Sequence, residues 1–178
     1  MFSRNKNGER RVSPSMYKFL LASHIIVSVG WLGTAFAKLI LELAAITTSA
    51  PDLSVALYLA MEKLNIAFPI MAITTFVSGV LLSLGTKWGL LQHYWIVTKL
   101  VLTVGVIVTA VQLDERFIRL SISALSRQSM NNGTILGIAL SPPSLLISLT
   151  VAHLLMLGAA TVISVYKPWG KTRFGRRK

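Results

Sequence analysis

The chain has 178 residues, of which 53% are hydrophobic and 13% charged, with no cysteine and a net charge of +12. Soluble domains carry about 25% charged residues, so the charge deficit points to a membrane-embedded protein. A length of this order suits one domain, and the lack of cysteine excludes disulfides, thiolate metal sites and cysteine nucleophiles.

The positive charge is not spread evenly. Arg4, Lys6, Arg10, Arg11 and Lys18 precede the first apolar run, and Lys167, Lys171, Arg173, Arg176, Arg177 and Lys178 follow the last. Basic clusters beside membrane spans follow the positive-inside rule and bind anionic lipid headgroups. The expected partner is therefore the bilayer, together with a second copy or another membrane protein, and not nucleic acid.

In chain order, residues 1–15 are polar and read as a basic arm. The apolar stretch that follows is about twice the 7–15 residues of a signal-peptide core, so it is expected to stay as a helix. The pattern predicts helices over residues 16–47, 55–84, 91–125 and 144–166, and a basic tail over 168–178, with residues 16–167 forming the membrane domain. Each run reaches the roughly 20 residues that a hydrocarbon core requires. Pro51 separates the first two helices and Pro69 should kink the second. A turn is expected at Gly85–Gly89. Beyond Asp114 the third run becomes amphipathic, protruding from the membrane or lying along its surface. Asn131, Asn132 and Gly133 then read as a turn, residues 135–140 as a short apolar stretch, and Pro142 and Pro143 as a helix start. The expected fold is all-α, an up-down four-helix membrane bundle. Four spans put both termini on one side, and the basic clusters make that side the cytoplasmic face of a cell membrane.

Ionisable groups inside a bilayer are costly and need a reason. On the first helix, His24, Ser28, Trp31, Ala35, Lys38 and Glu42 fall along one line, a stripe about 27 Å long that should face the bundle interior. Lys38 lies at a similar depth to Glu62 of the second helix, so an ion pair between them is expected. Three histidines remain as candidate haem ligands: His24, His93 and His153. Axial ligands must share a depth. His24 and His153 differ by about 12 Å, whereas Lys99 stands about 9 Å along its helix from His93, level with His24. His24 with Lys99 is the best-matched couple and His24 with His93 the next. No zinc, nucleophile-elbow or phosphate-loop motif is present.

The runs Ser28-Val29-Gly30-Trp31-Leu32-Gly33, Ser78-Gly79-Val80-Leu81-Leu82-Ser83-Leu84-Gly85-Thr86-Lys87-Trp88-Gly89-Leu90, His93-Tyr94-Trp95-Ile96-Val97-Thr98-Lys99-Leu100 and Val165-Tyr166-Lys167-Pro168-Trp169-Gly170 resemble a bacterial family of integral membrane proteins of unknown function. More remotely, the chain resembles HemJ-type protoporphyrinogen oxidases and the copper-resistance D membrane family. His24 and Trp31 match a histidine and tryptophan seven residues apart in HemJ-like proteins. Lys38 matches a basic residue, usually arginine, and Trp95, Lys99 and Leu100 match a Trp-x-x-x-Lys-Leu motif. The resemblance implies that His24 and Lys99 serve haem binding. Ala35, Phe36 and Ala37 replace the aromatic and proline residues that flank the HemJ arginine, so what it implies is a haem-binding scaffold rather than protoporphyrinogen oxidation.

Three readings follow. The first is a b-type haem protein, with His24 and either Lys99 or His93 on the iron, and Lys38 available to a propionate or to Glu62. The second is a scaffold or partner subunit without enzymatic activity. The third is a small transporter using Lys38 and Glu62.

Overall fold

A computed structural model describes residues 2–4, 10–86, 89–127 and 141–176, with side chains from residue 13 onward up to 125 and again from 141. The expected turn at 131–133 and the apolar stretch 135–140 lie outside the described residues, as do Lys87 and Trp88. A short antiparallel ribbon, β1 (Phe2–Arg4) with β2 (Arg10–Val12), precedes the helices.

Helix α1 (Pro14–Thr47) starts where Ser13 accepts a hydrogen bond from the Met16 amide at 3.4 Å and Pro14 supplies a φ suited to the first turn. Helix α2 (Pro51–Gly85) again opens on a proline, with Asp52 favourably placed in its first turn, and carries Pro69 internally. Helix α3 runs as α-helix over Tyr94–Thr109, widens into a π-turn at Ala110–Asp114, and continues as α-helix over Glu115–Arg127. Helix α4 (Pro142–Tyr166) ends where Lys167 takes a left-handed conformation, φ 47°, ahead of Pro168. The four spans have mean hydropathies of 1.7 to 2.1, and the shortest, 25 residues, is about 37 Å long.

The helices form an up-down bundle in which α1 packs on α2 and α4, and α3 packs on α4. Its burial pattern is the reverse of a soluble protein's. Ile26, Ile70, Val101, Leu155 and Val165 are each more than 60% exposed, while Lys38 and Glu42 are each 1% exposed. Water would reject that exterior and lipid accepts it, because hydrocarbon is the only solvent in which such a surface is inexpensive. The chain is an integral membrane protein.

The last part of α3 does not lie flat on the membrane surface. Ile118 is fully buried and joins Ala45, Tyr58, Met61 and Leu146, so that α3 closes the bundle at the end away from the termini. Nearer the middle, Trp31, Ala35, Phe68, Ala72, Val106 and Ala110 form an apolar layer, with Trp31 and Phe68 edge-to-face at 5.9 Å.

The basic tail folds back as a strap. The Thr172 amide donates to the Gln92 carbonyl at 2.9 Å, its hydroxyl donates to the Leu91 carbonyl at 2.5 Å, and Lys171 bridges His93. The strap ends in a single turn, α5 (Arg173–Arg176), where a Cβ on Gly175 would clash with the Gln92 carbonyl. Gly175→Val is therefore expected to detach the strap while leaving the spans intact. Limited proteolysis in detergent should show faster cleavage at Arg173 and Arg176 with unchanged helix content by circular dichroism.

Candidate functional site

The polar stripe of α1 does face inward: His24, Trp31, Ala35, Lys38 and Glu42 are all buried. The apolar layer divides the buried polar groups into two sets, one near each end of the bundle.

At the end carrying the termini, α3 stands away from α2 and leaves a cleft of about 350 Å³ among α1, α2, α3 and the end of α4. This lies toward the lower limit of the roughly 300–1,000 Å³ typical of small-molecule sites. Phe76, Val80, Trp95 and Leu100 make its apolar walls, and His24, Lys99 and Ser164 supply polar groups. Lys99 Nζ stands 3.4 Å from His24 Nε2 and donates to Ser164 Oγ at 3.1 Å. Among the described residues, no carboxylate pairs with Lys99, so its amine faces only these neutral partners and the cleft.

The hydrogen-bond network assigns the tautomer of His24. Ser78 Oγ spends its one proton on the Thr74 carbonyl at 2.7 Å, with the Thr75 carbonyl at 3.1 Å, so toward His24 it can only accept. His24 Nδ1, at 2.9 Å, must donate to it. The proton is therefore on Nδ1, and Nε2 turns its lone pair toward the cleft, where it accepts from Lys99 at 3.4 Å. Gly79 makes room for the ring: a Cβ there would come within 3.2 Å of His24 Cε1.

The donor set fits haem through His24. A ligating imidazole needs an unprotonated nitrogen and a fixed partner for the other; Ser78 is that partner, and Nε2 is unprotonated, its lone pair open to a metal once Lys99 turns away. As an opposing ligand Lys99 fits less directly. Two axial nitrogens on one iron stand roughly 4 Å apart, about twice a metal–imidazole bond. At 3.4 Å the two nitrogens are instead in hydrogen-bond contact, and coordination would require the Lys99 stem to swing aside. His93 does not line the cleft; it is buried at the start of α3, bridged to Lys171 and 6.4 Å from the Trp95 ring. His153 lies apart, its Nε2 2.8 Å from Thr109 Oγ1.

At the other end the expected Lys38–Glu62 pair is not formed. Lys38 Nζ binds Asp114 Oδ2 at 2.7 Å, with both side chains at most 4% exposed. The inward face of α3, marked by Thr103, Val106 and Ala110, runs on through the π-turn to Asp114 and brings it to Lys38. Glu62 is 35% exposed and stands 3.7 Å from Arg119, which also binds Glu115 at 2.5 Å. Lys38 is thereby locked away from the cleft and cannot serve a ligand there. Glu42, one turn further along α1, accepts from Thr150 at 2.7 Å.

Comparison with family models, with curated proteins and with solved structures found no match. The reading of the site rests on its geometry.

The buried pair has a measurable signature. Lys38→Met leaves an uncompensated carboxylate and should cost about 3–5 kcal/mol, whereas Lys38→Met/Asp114→Leu should recover most of that loss. A double-mutant cycle on unfolding in mixed micelles should return a coupling of about 2 kcal/mol or more.

Proposed function

We propose that the chain is a multi-pass cell-membrane protein that binds b-type haem in the cleft at its terminal end, with His24 as the iron ligand. The observation that carries this reading is the unprotonated Nε2 of His24, on a ring held by Ser78 and directed at an apolar-walled cleft inside the membrane, with Lys99 its one hydrogen-bond partner among the described residues.

Each residue has a role that its position supports. Ser78 holds the proton of the imidazole on Nδ1 and fixes the turn of the ring. Gly79 leaves the ring space to lie against α2. Lys99 offers a positive charge to an acid group of the ligand, since no protein carboxylate claims it among the described residues. The walls of Phe76, Val80, Trp95 and Leu100 exclude water and favour a flat apolar ring. Bound there, haem supplies one-electron chemistry within the lipid phase. The gap between α2 and α3 gives a lipid-soluble partner lateral access.

The same reading sets the sidedness. Eleven basic residues flank the terminal end, so that end is cytoplasmic, and the strap over Leu91–His93 is a cytoplasmic structure. At the opposite end, Arg119 is balanced by Glu62 and Glu115.

The test is the reduced-minus-oxidised visible spectrum of the detergent-purified protein from haem-supplied cells. Soret and alpha bands are expected in the wild type, lost in His24→Ala and weakened or shifted in Ser78→Ala. A colourless wild-type protein would overturn the reading and leave a scaffold or transporter role.

A further inference from the structure

The second polar set lies beyond the Trp31–Phe68 layer and takes no part in the cleft. It contains one cation and two carboxylates: Lys38, Asp114 and Glu42, which are 1%, 3% and 1% exposed. Lys38 and Glu42 are four residues apart on one face of α1, hence neighbours. Lys38 holds Asp114 at 2.7 Å, and Glu42 lies within electrostatic range of both. With all three ionised the layer carries one uncompensated negative charge in hydrocarbon, where such a charge is costly.

Hydrogen-bond accounting points the same way. Glu42 Oε1 accepts from Thr150, but Glu42 Oε2 has no partner. Asp114 Oδ2 is taken by Lys38, but Asp114 Oδ1 has no partner. Two buried acceptors in one layer lack a donor, and such orphans call for one. The remaining groups around the layer do not supply it. Lys38 faces it from α1, its ammonium ion-paired with Asp114 Oδ2 and making no hydrogen bond to either unpartnered oxygen. From α2, the Tyr58 hydroxyl is engaged with Ser121. From α4, His153 is within range of Asp114 and Lys38, but its Nε2 is bound to Thr109 Oγ1. Thr109 Oγ1 itself donates to the Gly105 carbonyl at 2.7 Å, so the His153 proton is on Nε2 and its Nδ1 carries none. Glu62 and Glu115 are occupied with Arg119 nearer the surface.

Asp114 is not sealed in. A second cleft, about 220 Å³, reaches it between α2 and α3 and is lined by Asn65, Phe68, Pro69, Ala72 and Ala110. Its wall is mostly apolar, with Asn65, Asp114 and Glu115 as the polar side chains. Asn65 Oδ1 has no partner, and Pro69 has no N–H to offer the Asn65 carbonyl. A cleft of that size has room for water beside these few polar groups. On α3 it meets the π-turn, a distortion frequent at functional sites.

We propose that Glu42 and Asp114 form a proton-binding site, the two carboxylates together holding one exchangeable proton, with Lys38 as the fixed counter-charge and Asp114 opening on the Asn65–Pro69 cleft. A proton fits better than a metal ion, because the Lys38 ammonium already stands where a cation would coordinate Asp114. Uptake adds one O–H bond and one positive charge and brings the layer to neutrality; no electron moves. The site does not depend on haem.

The test is infrared spectroscopy of the purified protein in lipid bilayers at neutral pH and without sodium. The chain has only six Asp and Glu residues, so a protonated-carboxyl band can be assigned by substitution. One such band is expected in the wild type, moving to lower frequency in D2O, and lost in Glu42→Gln and in Asp114→Asn. The wild-type comparison of H2O with D2O needs no variant and stands even if a substitution impairs folding. A spectrum without the band, a band indifferent to D2O, or a band that persists in both variants would overturn the proposal. So would a band that sodium removes, which would mark a metal-ion site.

Discussion

The Lys38–Asp114 ion pair is the constraint around which the bundle is arranged. A lysine in the hydrocarbon region is tolerable only when a carboxylate meets it at contact distance, and here the two stand 2.7 Å apart, buried from all sides. Meeting that requirement fixes the rotation of α1 and of the second half of α3 toward one another. Glu42, Trp31 and His24 then follow on the same stripe of α1 and must also face inward. The exterior is left to Ile, Val and Leu side chains, which a bilayer covers.

This arrangement makes the two ends of the bundle unlike. Away from the termini, α3 packs closely, with Ile118 and Leu146 fully buried. Toward the termini, α3 leaves α2, and the cleft with His24 and Lys99 opens between them. The Trp31–Phe68 contact lies between the two polar regions. The two polar regions are thus kept apart, each in its own low-dielectric surroundings. The strap over Leu91–His93 holds the start of α3 at the mouth of the cleft.

Much of this was legible in the residues. Long apolar runs set the four spans, and the 100° spacing of His24, Trp31, Lys38 and Glu42 set the inward face of α1. Counting depth along the helices brought His24 level with Lys99, and the two side chains do meet. The partner of Lys38 was misread for a physical reason. Asp114 adjoins Glu115 and Arg116 and so resembles the charged edge of a span, but helical phase from Thr103 through Ala110 carries it inward and the π-turn adjusts its position. Following the phase instead of the local charge would have found it. Ser78 could not be singled out, because a serine bonded to its own helix looks the same in sequence as one that orients a histidine. The strap is irregular backbone with no periodicity to read; only Gly175 and Pro168 mark it.

The central claim is that lipid, not water, covers the outer faces of these helices. Because the chain has no cysteine, single cysteines can be placed at will. Ile26→Cys, Ile70→Cys, Val104→Cys and Leu155→Cys occupy exposed apolar positions, while Lys171→Cys is a water-facing control on the strap. In intact bilayers made permeable to the reagent, a charged thiol label should modify Lys171→Cys readily and the other four at least tenfold more slowly. Rapid labelling of all five would mean that these faces meet water, contradicting the account.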